Sequence, residues 1–339
     1  MHFGVSGARG RWYSFGSGGP IRFRISRTAL HAPPDVETAD DLAARLGRSA
    51  EWIAGRTGVA VRHVCRTSMA EMGAAAALEA LNGASPDLIV NASLTPIQLI
   101  PDSSVFIQEA MGLSGTPSFS IHATCLSFVV ALQNVGALVQ SGAYQRVVVV
   151  SSEQGSVCRD FSEPESAALI GDGAAAAVIE PAPEGSGAGL VAFAMRTWPE
   201  GASSAELRGC GTRRHPNDPE TVAADNLFQM HGPRIWKLSL RHVDEMLDEA
   251  FGAAGMARDD VDVVIPHQAS GPMLEMFQRY GFSDHKVVKV VAEYGNCIAA
   301  SLPMALHAAI ESGRLKRGQR ALLFGTGAGL SIASAILEY

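Results

Sequence analysis

The strongest constraint on this chain is that its second half repeats its first. Asp87-Leu-Ile-Val90 and Asp262-Val-Val-Ile265 are short apolar runs, each followed by an irregular segment and a helical pattern. The small-residue helix after Cys125 ends near Ser141-Gly142, and the one after Tyr294-Gly-Asn296 ends near Ser312-Gly313. Each then meets a buried-strand pattern, Arg146-Val-Val-Val-Val150 and Arg320-Ala-Leu-Leu-Phe324. Strands separated by helices of this length predict parallel β/α layers. A repeat so long is not a solenoid unit. It predicts two similar β/α halves related by an approximate twofold. Equivalent helix starts would face each other across the middle, one carrying Cys125 and the other Asn296.

Composition bounds the rest. With 339 residues, 47% hydrophobic and 18% charged, the chain can bury a large core. We divide it into an extension (1–20), a first half (21–185) and a second half (186–339). Residues 181–189, rich in Pro, Gly and Ala, form the linker. The net charge of -7 argues against a general nucleic-acid binder. Five scattered cysteines without a Cys-x-x-Cys pair suit a reducing cytoplasm rather than a disulfide framework. No run of about 18 apolar residues suggests a membrane span. The first twenty residues lack the apolar core of a signal peptide. The histidines show no metal-ligand spacing, so no metal is expected.

Several local readings can be checked against structure. Residues 21–25 alternate as a first strand. Residues 235–251 read as one amphipathic helix. Gly171-Asp-Gly173 reads as a tight turn feeding a strand. Residues 199–226 read as a long surface excursion of the kind that covers a site.

Three residue types supply the chemistry. Cys125 lies at the start of the apolar helical run 126–139. A helix N-terminus carries unpaired N–H groups and partial positive charge, which favour a thiolate nucleophile. His267 follows the strand pattern 262–265, and strand ends are where α/β folds place reactive groups. Asn296 supplies an amide donor. A thiol, an imidazole and an amide together meet the needs of acyl transfer. The final stretch Phe324-Gly-Thr-Gly-Ala-Gly-Leu330 can turn backbone N–H groups into a cavity. A phosphate loop would need a following Lys-Ser/Thr and helix, and neither is present. Trp52 and Arg56 share a helix face and could clamp a planar or phosphorylated ligand. His122 reads as strand-end packing, and Cys65, Cys158, Cys210 and Cys297 as structural or incidental.

Together these stretches resemble the thiolase superfamily and, within it, the β-ketoacyl-acyl-carrier-protein synthase III branch. The resemblance runs from about residue 21 to residue 339. It is carried by Glu51-Trp-Ile-Ala-Gly-Arg-Thr-Gly58, the Cys125 block, Gly171-Asp-Gly-Ala174, Pro266-His-Gln-Ala269, Tyr294-Gly-Asn296 and the final glycine loop. It implies an α/β fold, the thiolase-like duplicated five-layer αβαβα sandwich, usually as a homodimer. It implies a catalytic set of Cys125, His267 and Asn296, with the backbone N–H groups of Cys125 and Ala328 as oxyanion hole. Trp52 and Arg56 match positions that contact the nucleotide end of coenzyme A. Lys237 matches a basic position near the entrance, and Thr326 stands where a bulky Phe often guards the pocket.

The implied reaction is loading of an acyl thioester on Cys125, then decarboxylative Claisen condensation with a malonyl thioester. No cofactor is implied. Coenzyme A or phosphopantetheine thioesters, free or on acyl carrier protein, are substrates. Departures from the branch are Cys125-Leu-Ser-Phe128, Ser270 after His267-Gln-Ala269, and Pro272 where a basic residue is common. They point toward specialised fatty-acid or polyketide metabolism. The alternative is an acyltransferase of the same kind, passing the acyl group from Cys125 to a hydroxyl or amine. A degradative thiolase would need a second cysteine in the final glycine-rich loop, and residues 324–330 contain none. A non-catalytic partner subunit would be expected to lose the nucleophile.

Overall fold

The valine run 147–150 is apolar on both faces, so it can only lie in the middle of a covered sheet. In the computed structural model, which describes residues 19–339, it begins the strand Val147–Gln154. That strand pairs in parallel with Leu88–Asn91 and antiparallel with Asp172–Glu180. Arg24–His31 and Ser118–Ser120 complete a five-stranded sheet at its two edges. A second five-stranded sheet has Arg320–Gly327 in the equivalent place, parallel to Val263–Pro266 and antiparallel to Gly329–Glu338. Gly189–Gly201 and Ile21–Arg22 finish that sheet.

The duplication extends to single side chains. Asp87 accepts hydrogen bonds from the backbone N–H groups of Gln145 (2.6 Å) and Arg146 (3.0 Å). Asp262 accepts one from Arg320 N–H (2.8 Å). The Arg146 side chain then reaches Glu180 at 2.7 Å, and Arg320 reaches Glu338 at 3.3 Å. Each half thus locks its central strand to both neighbours with the same Asp, Arg and Glu.

Helices fill the remaining layers. Ser127–Gln140 and Ser301–Glu311 lie between the sheets, where Leu132, Val135, Leu302 and Leu306 join one buried core with both sheets. Met69–Leu81, opened by a reciprocal Ser68–Glu71 capping box, covers the outer face of the first sheet. Val243–Ala254 covers the outer face of the second. The order helix, sheet, helix, sheet, helix is the expected αβαβα sandwich.

Some local readings need correction. The predicted strand over 21–25 is split: Ile21–Arg22 belongs to the second sheet and Arg24–His31 to the first. Phe23 between them is fully buried against Gly136, where a Cβ would overlap its ring. The predicted helix over 235–251 is two helices, Gly232–Ser239 and Val243–Ala254. Gly171-Asp-Gly173 is not a tight turn, because the strand already starts at Asp172. His122 is exposed rather than packed. The proposed extension lies outside the described residues except for its last two positions.

Candidate active site

Cys125 sits just before the helix Ser127–Gln140, at a sharp elbow. Thr124 adopts φ +53°, a left-handed conformation that is costly for a β-branched residue. The elbow is held by Ser127, whose hydroxyl accepts from Ala123 N–H (3.0 Å) and donates to Thr124 O (2.7 Å). Gly327 lies against this elbow, and a side chain there would strike the Thr124 hydroxyl. The chain between the strands Arg320–Gly327 and Gly329–Glu338 therefore passes close above the thiol. The backbone N–H groups of Ala328 and of Cys125 itself both point at the Cys125 sulfur.

The electrostatic expectation for this thiol is overturned. Burial is the larger influence, and with the nearby Glu153 carboxylate it pushes the Cys125 thiol up to about 12 despite the two N–H donors. A helix N-terminus alone favours the thiolate, but here desolvation wins.

His267 follows the strand Val263–Pro266, and its N–H donates to Phe324 O at 2.8 Å. The next residue fixes this exit. The fully buried Gln268 amide donates to Pro266 O (2.9 Å) and Val288 O (3.1 Å) and accepts from the Val290 (2.8 Å) and Val291 (3.1 Å) N–H groups. Burial pulls the His267 imidazole down to about 4, so the ring is neutral at pH 7. Its Nδ1 has no hydrogen-bond partner among the described residues.

Asn296 is held by the other half of the molecule. Its N–H donates to Leu169 O (2.8 Å), and Gly171 N–H donates to its carbonyl oxygen (3.2 Å). Its side-chain oxygen accepts from Ile298 N–H (2.9 Å), which leaves the amide nitrogen to donate. One weak bond, to Ala269 O at 3.3 Å, occupies it.

Cys125, His267 and Asn296 line one cavity of about 380 Å³, together with Thr326, Gly327 and Ala328. Leu94, Leu99, Leu207, Phe228, Met230 and Leu330 make its walls largely apolar. Residues 199–226 do cover this site, with the small ribbon of Ala205–Glu206 paired to Gln229–Met230. Cys158 and Cys210, read from sequence as incidental, line the same cavity. The remaining predicted positions lie outside it. Lys237 is exposed on the helix Gly232–Ser239, whose Ile235 and Leu238 do face the cavity. Trp52 is half-buried with the Arg48 guanidinium over its ring, and Arg56 pairs with Glu165 at 2.8 Å. Sequence reasoning missed Glu153, a fully buried carboxyl beside the thiol. The only signal was a charge three residues beyond the valine run 147–150.

A duplicated αβαβα sandwich with a cysteine at the central helix start places the chain among the thiolase-fold enzymes. Residues 119–199 match the family described as 3-oxoacyl-[acyl-carrier-protein (ACP)] synthase III, and residues 251–339 match its C-terminal part. A beta-ketoacyl-[acyl-carrier-protein] synthase III of Neisseria meningitidis is 32% identical over 328 residues, spanning 93% of this chain and 99% of the relative. The crystal structure of 3-oxoacyl-[acyl-carrier-protein] synthase III from Aquifex aeolicus superposes with a TM-score of 0.84 at 29% identity, over 94% of this chain and all of that one (100%). The priming beta-ketosynthase of the R1128 polyketide pathway gives 0.85 at 27% identity, over 94% of this chain and 96% of that one. The chain belongs to the β-ketoacyl-acyl-carrier-protein synthase III family, and it is a condensing acyltransferase of that kind.

Proposed function

We propose that Cys125 takes an acyl group from a coenzyme A or carrier-protein thioester and that His267 and Asn296 then drive decarboxylative condensation with a malonyl thioester. The observation that carries this reading is the placement of the Cys125 sulfur under the Ala328 and Cys125 N–H groups, in one cavity with His267 and Asn296. In the first step the sulfur attacks the thioester carbonyl, and the two N–H groups hold the oxyanion. The Cys125 proton leaves with the departing thiol. Loss of one such donor typically costs about 3 kcal/mol in barrier.

In the second step, neutral His267 and the Asn296 amide donate to the malonyl thioester oxygen while carbon dioxide leaves. The resulting enolate carbon attacks the acyl carbon, and Cys125 departs as the leaving group. A neutral imidazole suits this role, because it donates a hydrogen bond without protonating the enolate outright. The synthase names of the relatives favour condensation over transfer to a hydroxyl or amine.

Arg56 and Trp52 bind the nucleotide end of coenzyme A in this reading, and Lys237 meets an acidic carrier protein. The apolar cavity and the small Thr326 support a primer larger than acetyl, as in specialised fatty-acid or polyketide metabolism. A homodimer is supported by the family and by the edge strand Ser118–Ser120, near which Ile97, Leu99, Ile100 and Phe119 are exposed. A cytoplasmic location fits the five unpaired cysteines. No helix of the described residues is long and apolar enough to cross a membrane.

The test is intact-protein mass after incubation with a panel of acyl-CoA thioesters, with Cys125→Ala as control. A chase with malonyl-CoA or malonyl carrier protein follows. A Cys125-dependent adduct that disappears with release of carbon dioxide supports the reading and identifies the primer. An adduct that ignores malonyl donors and passes to alcohols or amines overturns it.

A further inference from the structure

Glu153 is the last but one residue of the strand Val147–Gln154, with its side chain fully buried. Its carboxylate is surrounded by donors from another part of the chain. The Leu94 N–H, the Thr95 N–H (3.0 Å) and the Thr95 hydroxyl (2.7 Å) all donate to it. The Ala299 N–H, from the second half, also points at it. None of these partners is a cation. Leu94 and Thr95 form one wall of the cavity, and Ala299 is three residues beyond Asn296. A buried ionisable group with no counter-ion is costly to keep and invites a functional explanation.

We propose that Glu153 is a positioning residue for the Cys125 chemistry: its buried carboxyl holds the cavity wall at Leu94–Thr95 through three hydrogen bonds and, from that seat, governs how readily the Cys125 thiol reacts. The idea rests on Cys125 being the nucleophile, but not on which acyl group it carries.

The electrostatics have a definite sign. Burial raises the Glu153 carboxyl to about 7, outweighing the Leu94, Thr95 and Ala299 donors that favour its charge. Below that pH the carboxyl is neutral, and above it a negative charge faces Cys125. The same charge faces two more thiols, Cys158 and Cys297, which also feel Asp172. His267, which lines the same cavity, is neutral through this range. Charging Glu153 therefore makes each further ionisation in the cluster harder.

The rate of Cys125 alkylation by iodoacetamide against pH tests this, read by mass spectrometry on the Cys125 peptide so that other thiols do not interfere. This readout needs no acyl substrate, so it stands apart from the condensation assay. In the wild-type protein the rate should rise with a shoulder near pH 7. In Glu153→Gln the shoulder should vanish and the profile should move to lower pH, with about ten times more thiolate for every pH unit it moves. Glu153→Asp keeps the charge and should retain the shoulder, while its shorter side chain loosens the Leu94–Thr95 wall and raises KM for the primer. If Glu153→Gln does not fold, Thr95→Val serves instead. It removes one donor to the charged carboxylate and should move the shoulder to higher pH. A single smooth ionisation in the wild type, or Glu153→Asp shifting as Glu153→Gln does, would overturn the proposal.

Discussion

Asn296 and Ile170 lie side by side in a parallel bridge that joins the two halves of the molecule. The approach is possible because Gly171 and Gly295 carry no side chains. A Cβ on Gly171 would overlap the Tyr294 carbonyl oxygen, and one on Gly295 would stand 2.7 Å from Leu169 O. Gly295 also has φ +69°. We expect Gly295→Ala to cost about 1–3 kcal/mol in stability through overpacking and backbone strain. Because the bridge positions the Asn296 amide, malonyl decarboxylation should fall roughly 100-fold, as for a small misplacement of a reacting group. Acylation of Cys125 should change far less. Thermal melts and separate assays of the two steps check both halves of this expectation.

That bridge also marks where the sequence stops being readable. Apolar runs and their repeat reveal both sheets and both central helices, because burial on two faces leaves a continuous signal. That Cys125, His267 and Asn296 belong to one site was visible from residue type and their place after strands or before helices, and the three do line one cavity. Which sheet takes Ile21 and which takes Arg24 depends on partners more than 150 residues away, Leu190 and Glu180. The break at Leu240–His242 has no glycine or proline to announce it. Glu153 was hidden because a charge shortly beyond four valines and two serines looks like an ordinary strand end until its donors are known. The rise of the Cys125 thiol was equally hidden, since a helix start is local while desolvation comes from the whole surrounding wall.

Thr326 lines the cavity beside Gly327 and Ala328, near the end of the strand Arg320–Gly327 that leads to the crossing above Cys125. A larger side chain here takes space from the acyl group. Thr326→Phe should leave acylation by a two-carbon thioester nearly intact and reduce acylation by longer chains. Each excluded methylene is worth about 1–3 kcal/mol in discrimination. Competition between short and long acyl-CoA primers, read by adduct mass, checks this.

Lys237 and Arg56 should separate the two kinds of thioester carrier. Lys237 stands exposed on the helix that walls the cavity. Lys237→Ala should raise KM for carrier-protein substrates, more at low salt than at high, and leave KM for coenzyme A thioesters unchanged. Arg56 pairs with Glu165 in a surface bridge, and such pairs contribute only about 0–1 kcal/mol. Arg56→Ala should therefore leave the melting temperature almost unchanged while raising KM for coenzyme A thioesters. Parallel kinetics with both carriers at two salt concentrations give the readout.

His267 also makes the folded state sensitive to acid. An unfolded histidine ionises near pH 6.5, whereas burial lowers His267 to about 4 in the folded protein. Between those values the unfolded chain binds the proton more readily. The contribution of neutral His267 is thus fully present above about pH 6.5 and is lost as pH falls toward 4. The difference corresponds to about 3 kcal/mol at most. Glu153 and Asp172 act in the opposite direction, since burial raises both carboxyls and stabilises their protonated forms. A comparison with His267→Gln isolates the imidazole. Urea unfolding of the wild type and of this variant at pH 7.5, 6.5, 5.5 and 4.5 should show the wild type losing stability relative to the variant on acidification. The gap should open below about pH 6.5, and parallel curves for the two proteins would mean that the ring is not held neutral by its burial.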